Sequence, residues 1–251
     1  MVNLSSKVVL VTGAAKRIGH GIALRLAKEG ARVAIHYGNS EAEARRTAEE
    51  CGGGAEIFQA NLEKVPEIER MFQQVEQKLG RLDGLVNNAA RFTFRDPMDI
   101  TEADWDFIHQ VNLKATFFSC QQGAKLMRKS GGGRIVNLGS GCNKFAFPNL
   151  VDYTASRGGV EMLTKSAAIE LGRYGITVNC IAPGAIETER TKRELPDYAG
   201  SWSKLTPLER IGQPIDVARM IVSLCGEAGE FVTGQTIWVD GGLFSRAPWV
   251  E

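Results

Sequence analysis

Residues 12–21 run Thr12-Gly13-Ala14-Ala15-Lys16-Arg17-Ile18-Gly19-His20-Gly21, between a short β-branched run and an amphipathic stretch. A glycine-rich turn between strand and helix presents bare backbone N–H groups at the positive end of a helix dipole, where a dinucleotide pyrophosphate binds. The spacing from Gly13 to Gly19 is not the common GxGxxG, so the inference rests on the strand–turn–helix context. Lys16 and Arg17 sit where the dipole disfavours cations. An anionic partner explains them better than solvation of the helix start. A second cluster follows at Ile35-His36-Tyr37-Gly38-Asn39-Ser40, with no acid before Glu41. An NAD site places Asp or Glu here for the ribose hydroxyls. Neutral donors beside two cations suit the 2′-phosphate of NADP instead.

Such a turn works only at the end of a buried strand, and the chain repeats that rhythm throughout. Strands are expected at 7–11, 32–37, 55–59, 82–86, 134–138, 176–181 and 236–239. Helical spacing covers 17–29, 41–51, 65–79, 104–127, 153–171 and 215–225, several of these stretches ending at glycines. Thr101 is a candidate cap for 104–127, with Asp104 three residues on. Strands alternating with helices imply βαβ units. The expected fold is α/β, a Rossmann-type doubly wound parallel sheet of about seven strands with helices on both faces. No linker divides it, so 1–251 reads as one domain. Residues 187–212 do not fit the rhythm and read as a substrate lid.

The balance of 30 Lys+Arg against 29 Asp+Glu leaves a net charge of +1, which argues against bulk electrostatic capture of nucleic acid or anionic membrane. A hydrophobic fraction of 43% and a charged fraction of 24% are globular values. The five cysteines form no CxxC, and His20, His36 and His109 lack ligand spacing, so no metal is expected. The apolar run at 8–11 is too short for a signal-peptide core or a membrane span. These features suggest a soluble cytoplasmic protein. The 28 glycines are then turn punctuation plus a few close backbone approaches.

Over almost its whole length the sequence resembles the short-chain dehydrogenase/reductase family. The 12–21 turn is similar to TGxxxGxG, with Arg17 for the middle glycine as in the pteridine-reductase branch. Asn61-Leu62 stands where the family has Asp-Leu or Asp-Val near the adenine. Asn87-Asn88-Ala89-Ala90 is similar to NNAG, although alone it fits a plain turn. Asn112, in Val-Asn-Leu, resembles the family's catalytic asparagine, although a lone buried polar residue in a helix is more often structural. Ser140 and Tyr153 lie thirteen residues apart, as in the family. Residues 183–188 (PGAIET) match its PGxxxT loop, and 234–242 its last strand. The resemblance implies coenzyme contacts from Gly13, Ala15, Lys16, Arg17, Ile18 and Gly19, then from His36, Tyr37, Asn39 and Ser40, and from Asn61 and Leu62. Asn88, Ala89 and Ala90, Tyr153 and Arg157, and Pro183, Gly184, Ile186 and Thr188 complete the set.

The family's YxxxK is here Tyr153-Thr154-Ala155-Ser156-Arg157. In the family mechanism the tyrosine gives a proton to the carbonyl oxygen as hydride arrives from the nicotinamide. Serine orients that oxygen. Lysine holds the nicotinamide ribose and eases loss of the tyrosine proton, and asparagine anchors relay water. Transferred here, the catalytic set is Asn112, Ser140, Tyr153 and Arg157. Arginine keeps the charge but holds its proton, which leaves three outcomes: an active enzyme, an NADP-binding sensor with little turnover, or an altered reaction. The substrate pocket is expected from Arg91, Phe92 and Phe94, from Ser140, Asn143, Lys144, Phe145 and Phe147, and from Tyr153, Ile186 and Trp202. Phe92 falls where pteridine reductases stack their pterin, but they usually carry Asp at 140 and Lys at 157. Ser140 favours a ketone or 3-oxoacyl substrate, hence an NADPH-dependent carbonyl reductase. The helices at 104–127 and 153–171, with Phe117 and Phe118, resemble the pair through which family members form dimers and tetramers. A homotetramer, or a homodimer, is therefore expected.

Overall fold

A computed structural model describes residues 2–245; Met1 and 246–251, the ends of the expected 1–251 domain, lie outside the described residues. Seven strands form one parallel sheet: β1 (Val8–Val11), β2 (Arg32–Tyr37), β3 (Glu56–Gln59), β4 (Gly84–Asn87), β5 (Gly133–Leu138), β6 (Ile176–Pro183) and β7 (Thr236–Val239). Their order is β3-β2-β1-β4-β5-β6-β7. The order reverses between β1 and β4, and the loops leaving those two strands diverge and open a crevice.

Period-2 side-chain alternation divides β1 to β6 between two cores. Val9 and Val11 of β1 join a cluster with Ile22 and Leu26 of α1 (Arg17–Lys28), Ala44 of α2 (Glu41–Cys51) and Val217 and Ile221 near the carboxyl end. Val8 and Leu10 face the other way, toward Ile68, Phe72 and Val75 of α3 (Val65–Leu79). Both faces are covered, so β1 reads as a continuous apolar run.

The expected helix at 104–127 is three pieces. α4 (Glu102–His109) starts early because Thr101 and Asp104 form a reciprocal capping box. A five-residue π-helical segment, Gln110–Lys114, follows and leads into α5 (Ala115–Lys129). One extra residue per turn places Asn112 on the inner side. α6 (Val151–Leu171) begins two residues before Tyr153. The stretch 187–212 is not a bare loop: it folds into α7 (Glu189–Glu194) and α8 (Tyr198–Leu205) before α9 (Pro214–Cys225). Both α7 and α8 are too short to show helical periodicity in sequence. A bridge between Ile186 and Gly212 closes the base of this excursion.

Candidate active site

The carboxyl ends of β1, β4, β5 and β6 open onto one cleft of about 1190 Å³. At its phosphate end Gly13 has φ +64°, and a Cβ on Gly19 would lie 2.3 Å from the Gly13 carbonyl oxygen, so that helix start closes only on glycine. No side chain caps α1 and its first turn carries no acid, which leaves an anion-binding helix start. Arg17 holds φ +56°, a left-handed conformation that disfavours side chains. Lys16 Nζ lies 2.7 Å from Glu43, whose carboxyl it holds below the usual range. Asn88 donates to the carbonyls of Thr12 (2.8 Å) and Gly13 (3.2 Å), and Thr12 Oγ1 accepts from the amides of Asn88 and Ala89. The turns after β1 and β4 are thus one hydrogen-bonded unit.

Beyond β5, Ser140 Oγ accepts from the Cys142 amide at 3.3 Å, while Asn143 Oδ1 accepts from the Ser140 amide at 3.0 Å. Tyr153 and Arg157 are one helical turn apart on α6, and the guanidinium lies 4.9 Å from the tyrosine ring centre. Arg157 is 3% exposed; one arm donates to the Leu138 carbonyl at 2.8 Å, and its buried Nε has no protein partner. The unpartnered donor of Arg157 and the uncapped start of α1 belong to residues that line one cleft, which fits a ligand with a sugar hydroxyl at one point and a pyrophosphate at the other. Phe92 packs edge-on to Tyr153 at 5.7 Å and to Phe94 at 5.6 Å. The Arg190 guanidinium of α7 lies 3.9 Å from the Phe92 ring centre, so α7 touches the ring that touches the tyrosine.

Residues 13–244 match the family model described as enoyl-(acyl carrier protein) reductase. The 3-oxoacyl-[acyl-carrier-protein] reductase FabG of Staphylococcus epidermidis is 38% identical over 242 residues, covering 95% of this chain and 99% of the relative. The hydroxynaphthalene reductase-like protein Arp2 of Metarhizium anisopliae is 36% identical over 257 residues, covering 96% of each. A gluconate 5-dehydrogenase from Burkholderia cenocepacia, solved in complex with NADP and tartrate, superposes with a TM-score of 0.91 at 32% identity over 98% of each chain. The chain belongs to the short-chain dehydrogenase/reductase family. It is an oxidoreductase of that family.

Within this short-chain fold, the cleft is lined by every coenzyme residue expected from sequence, and by Phe92, Phe94, Phe147, Ser140 and Trp202. Four expected residues need correction. Phe145 does not line the cleft; its ring packs 5.5 Å from that of Phe244, with the Lys144 ammonium over it. Asn112 is fully buried behind the cleft wall, where Oδ1 accepts from the Arg91 amide (2.8 Å) and Nδ2 donates to the Arg91 carbonyl (2.9 Å) and Ser156 Oγ (3.0 Å). Its side chain ties the loop after β4 to α6, with both amide hydrogens engaged. Asn143 and Lys144 also stand off the cleft. Sequence reasoning missed Arg190, Leu195, Tyr198 and Phe244 at the substrate end, and Lys64, Arg70 and Gln74, in and just before α3, at the other. The substrate-end residues sit in the lid and tail, where no motif marks a position. Those of α3 are indistinguishable in sequence from the solvated face of an amphipathic helix. Among the described residues no His, Cys, Asp and Glu cluster could hold a metal, and no helix is long and apolar enough to cross a membrane.

Proposed function

We propose that the protein is an NADPH-dependent carbonyl reductase acting in the cytoplasm on a small ketone or 3-oxoacyl substrate, without a nucleic-acid or membrane partner. The observation that carries this reading is the single cleft shared by the glycine turn, the 183–188 loop, Ser140, Tyr153 and Arg157. The NADP complex of the related gluconate 5-dehydrogenase and the names of the reductase relatives support it.

NADPH, when bound, supplies the hydride. The carbonyl carbon accepts it, the C=O π electrons move to oxygen, and the Tyr153 hydroxyl protonates that oxygen. Ser140 Oγ accepts from the Cys142 amide, which leaves its own hydrogen to donate to the substrate oxygen. Arg157 keeps a positive charge beside the phenol through the transfer and offers its spare N–H groups to the nicotinamide ribose. Because arginine does not release its proton, Tyr153 is recharged through water and hydroxyl groups. Asn112 holds the loop after β4 against α6, which keeps Phe92 beside Tyr153. Arg17, Asn39 and Ser40, with no acid among them, suit the 2′-phosphate.

The test is NADPH oxidation over ketones, 3-oxoacyl esters and pterins, with NADPH and NADH titrated in parallel. Wild type turns over a member of the panel and binds NADPH more tightly than NADH; Tyr153→Phe loses at least about 100-fold in kcat. Full activity in that variant refutes the mechanism. A silent wild type that gains activity as Arg157→Lys supports an NADP-binding sensor instead. A pteridine-reductase-like enzyme is the second reading, favoured by the rings of Phe92, Phe94, Phe147, Tyr198, Trp202 and Phe244 around the substrate end. Pterin as the best substrate in the panel selects it.

A further inference from the structure

His36 lines the cleft on β2, yet its ring is turned into the protein and is 3% exposed. The Gly13 amide donates to Nδ1 at 3.0 Å, and Nε2 stands 3.1 Å from the Ala60 carbonyl oxygen. The His36 backbone carbonyl accepts from the Ala14 amide, also at 3.0 Å. An amide N–H can only donate and a carbonyl can only accept. The ring is therefore the neutral tautomer with its proton on Nε2. Burial holds it in that state, pushing the imidazole down to about 4.

We propose that His36 is the positioning residue of the phosphate turn: it takes up the Gly13 and Ala14 amides and so fixes which backbone donors face the coenzyme. With those two amides turned inward, the donors left for a pyrophosphate are those at the start of α1. The peptide that carries the Gly13 amide is pinned at its other end as well, since its carbonyl oxygen, that of Thr12, accepts from Asn88 at 2.8 Å. Rotating that peptide to turn the Gly13 amide toward the cleft breaks the Asn88 bond to the Thr12 carbonyl. The same ring joins the turn to Ala60, whose neighbour Asn61 lines the far end of the cleft. One imidazole thus sets the spacing between the phosphate and adenine ends. This inference rests on the dinucleotide reading of the cleft.

Two polar substitutions separate the bonds. In His36→Asn the amide oxygen takes the place of Nδ1 and still accepts from Gly13, while the reach to Ala60 is lost. In His36→Gln the head group reaches the place of Nε2 and still donates to Ala60, while Gly13 loses its acceptor. Fluorescence titration of the full-length protein with NADPH and with NADH is expected to show His36→Gln raising both Kd values roughly tenfold, about 1.4 kcal/mol. His36→Asn stays within about threefold of wild type in Kd. Equal effects of the two substitutions, or wild-type affinity in His36→Gln, overturn the proposal. Hydrogen exchange at the Gly13 amide gives a readout that needs no coenzyme. That amide is slow in wild type and His36→Asn and fast in His36→Gln; continued protection in His36→Gln overturns the proposal even if the protein binds neither coenzyme, an outcome that by itself sinks the dinucleotide reading.

Discussion

At the scale of single residues, two of the departures from the family pattern are arginines, Arg17 and Arg157, and Arg17 carries a physical cost that binding an anion would offset. Arg17 is strained at φ +56° where glycine would be relaxed. Arg17→Gly removes roughly 1 kcal/mol of that strain and also removes a cation from the cleft. NADPH affinity is expected to fall more than NADH affinity, so the ratio of the two dissociation constants moves toward one; an unchanged ratio shows that Arg17 does not select the phosphate. The motif reveals Arg17, but sequence cannot show that Lys16 shares its charge with Glu43, because that pair joins two elements with no common pattern. His36 was legible only as a neutral residue in the right place; its tautomer depends on two partners 23 and 24 residues away. Its depressed value makes a pH prediction. The unfolded chain binds a proton there below about pH 6.5, whereas the folded protein does so only near 4. The stability from the neutral ring is fully present above pH 6.5 and is lost as the pH falls through that window, about 3 kcal/mol in all. Urea unfolding at pH 7 and pH 4.5 is expected to show a smaller loss in His36→Asn than in wild type. Equal losses refute the assignment.

Among the elements, periodicity located every strand and the long helices, and it failed where local geometry departs from 3.6 residues per turn. The π-helical segment Gln110–Lys114 has the same apolar pattern as an α-helix, so nothing in the sequence distinguishes it. α7 is held by the Thr188 capping box and by contacts such as Arg190 on Phe92, and α8 lacks a side-chain cap, so no short pattern encodes either helix. β6 runs on to Pro183 because it pairs with β7 as far as Val239, which links the 183–188 loop to the last strand. Gly184 sits at that junction. Its amide donates to the Val239 carbonyl at 3.0 Å, and a Cβ there would lie 2.7 Å from the Asp240 Cα. The blocking atom is main chain and cannot rotate away. Gly184→Ala is expected to cost about 1–3 kcal/mol, lowering the melting temperature by several degrees, and to reduce kcat/KM by moving Ile186 and Thr188 in the cleft wall. Calorimetry and steady-state kinetics check both; a variant with unchanged stability shows that the strand ends separate freely.

For the molecule as a whole, the doubly wound sheet was legible because each βαβ unit obeys the same pattern and the glycine turn marks its first crossover. Oligomeric state is harder to read, since an apolar residue facing a partner and one facing the core have the same letter. The structure separates the two expected candidates. Phe118 packs against the core beneath α5, whereas Phe117 is 45% exposed on the same helix. On α6, Met162 is 59% and Ile169 81% exposed. Large apolar side chains left outside on two neighbouring long helices are surplus to the monomer's core, and self-association through these helices would bury them. The expected outcome is a particle of four chain masses by light scattering. Replacing Phe117 and Ile169 together by Lys removes apolar contact and sets like charges against each other across any two-fold interface through these helices, so the mass should fall to two chains or one. Both side chains lie outside the core, so the melting temperature of the dissociated variant reports only the assembly's share of stability. A wild type that already runs as a single chain, or a double variant that still runs as four, refutes assembly through α5 and α6.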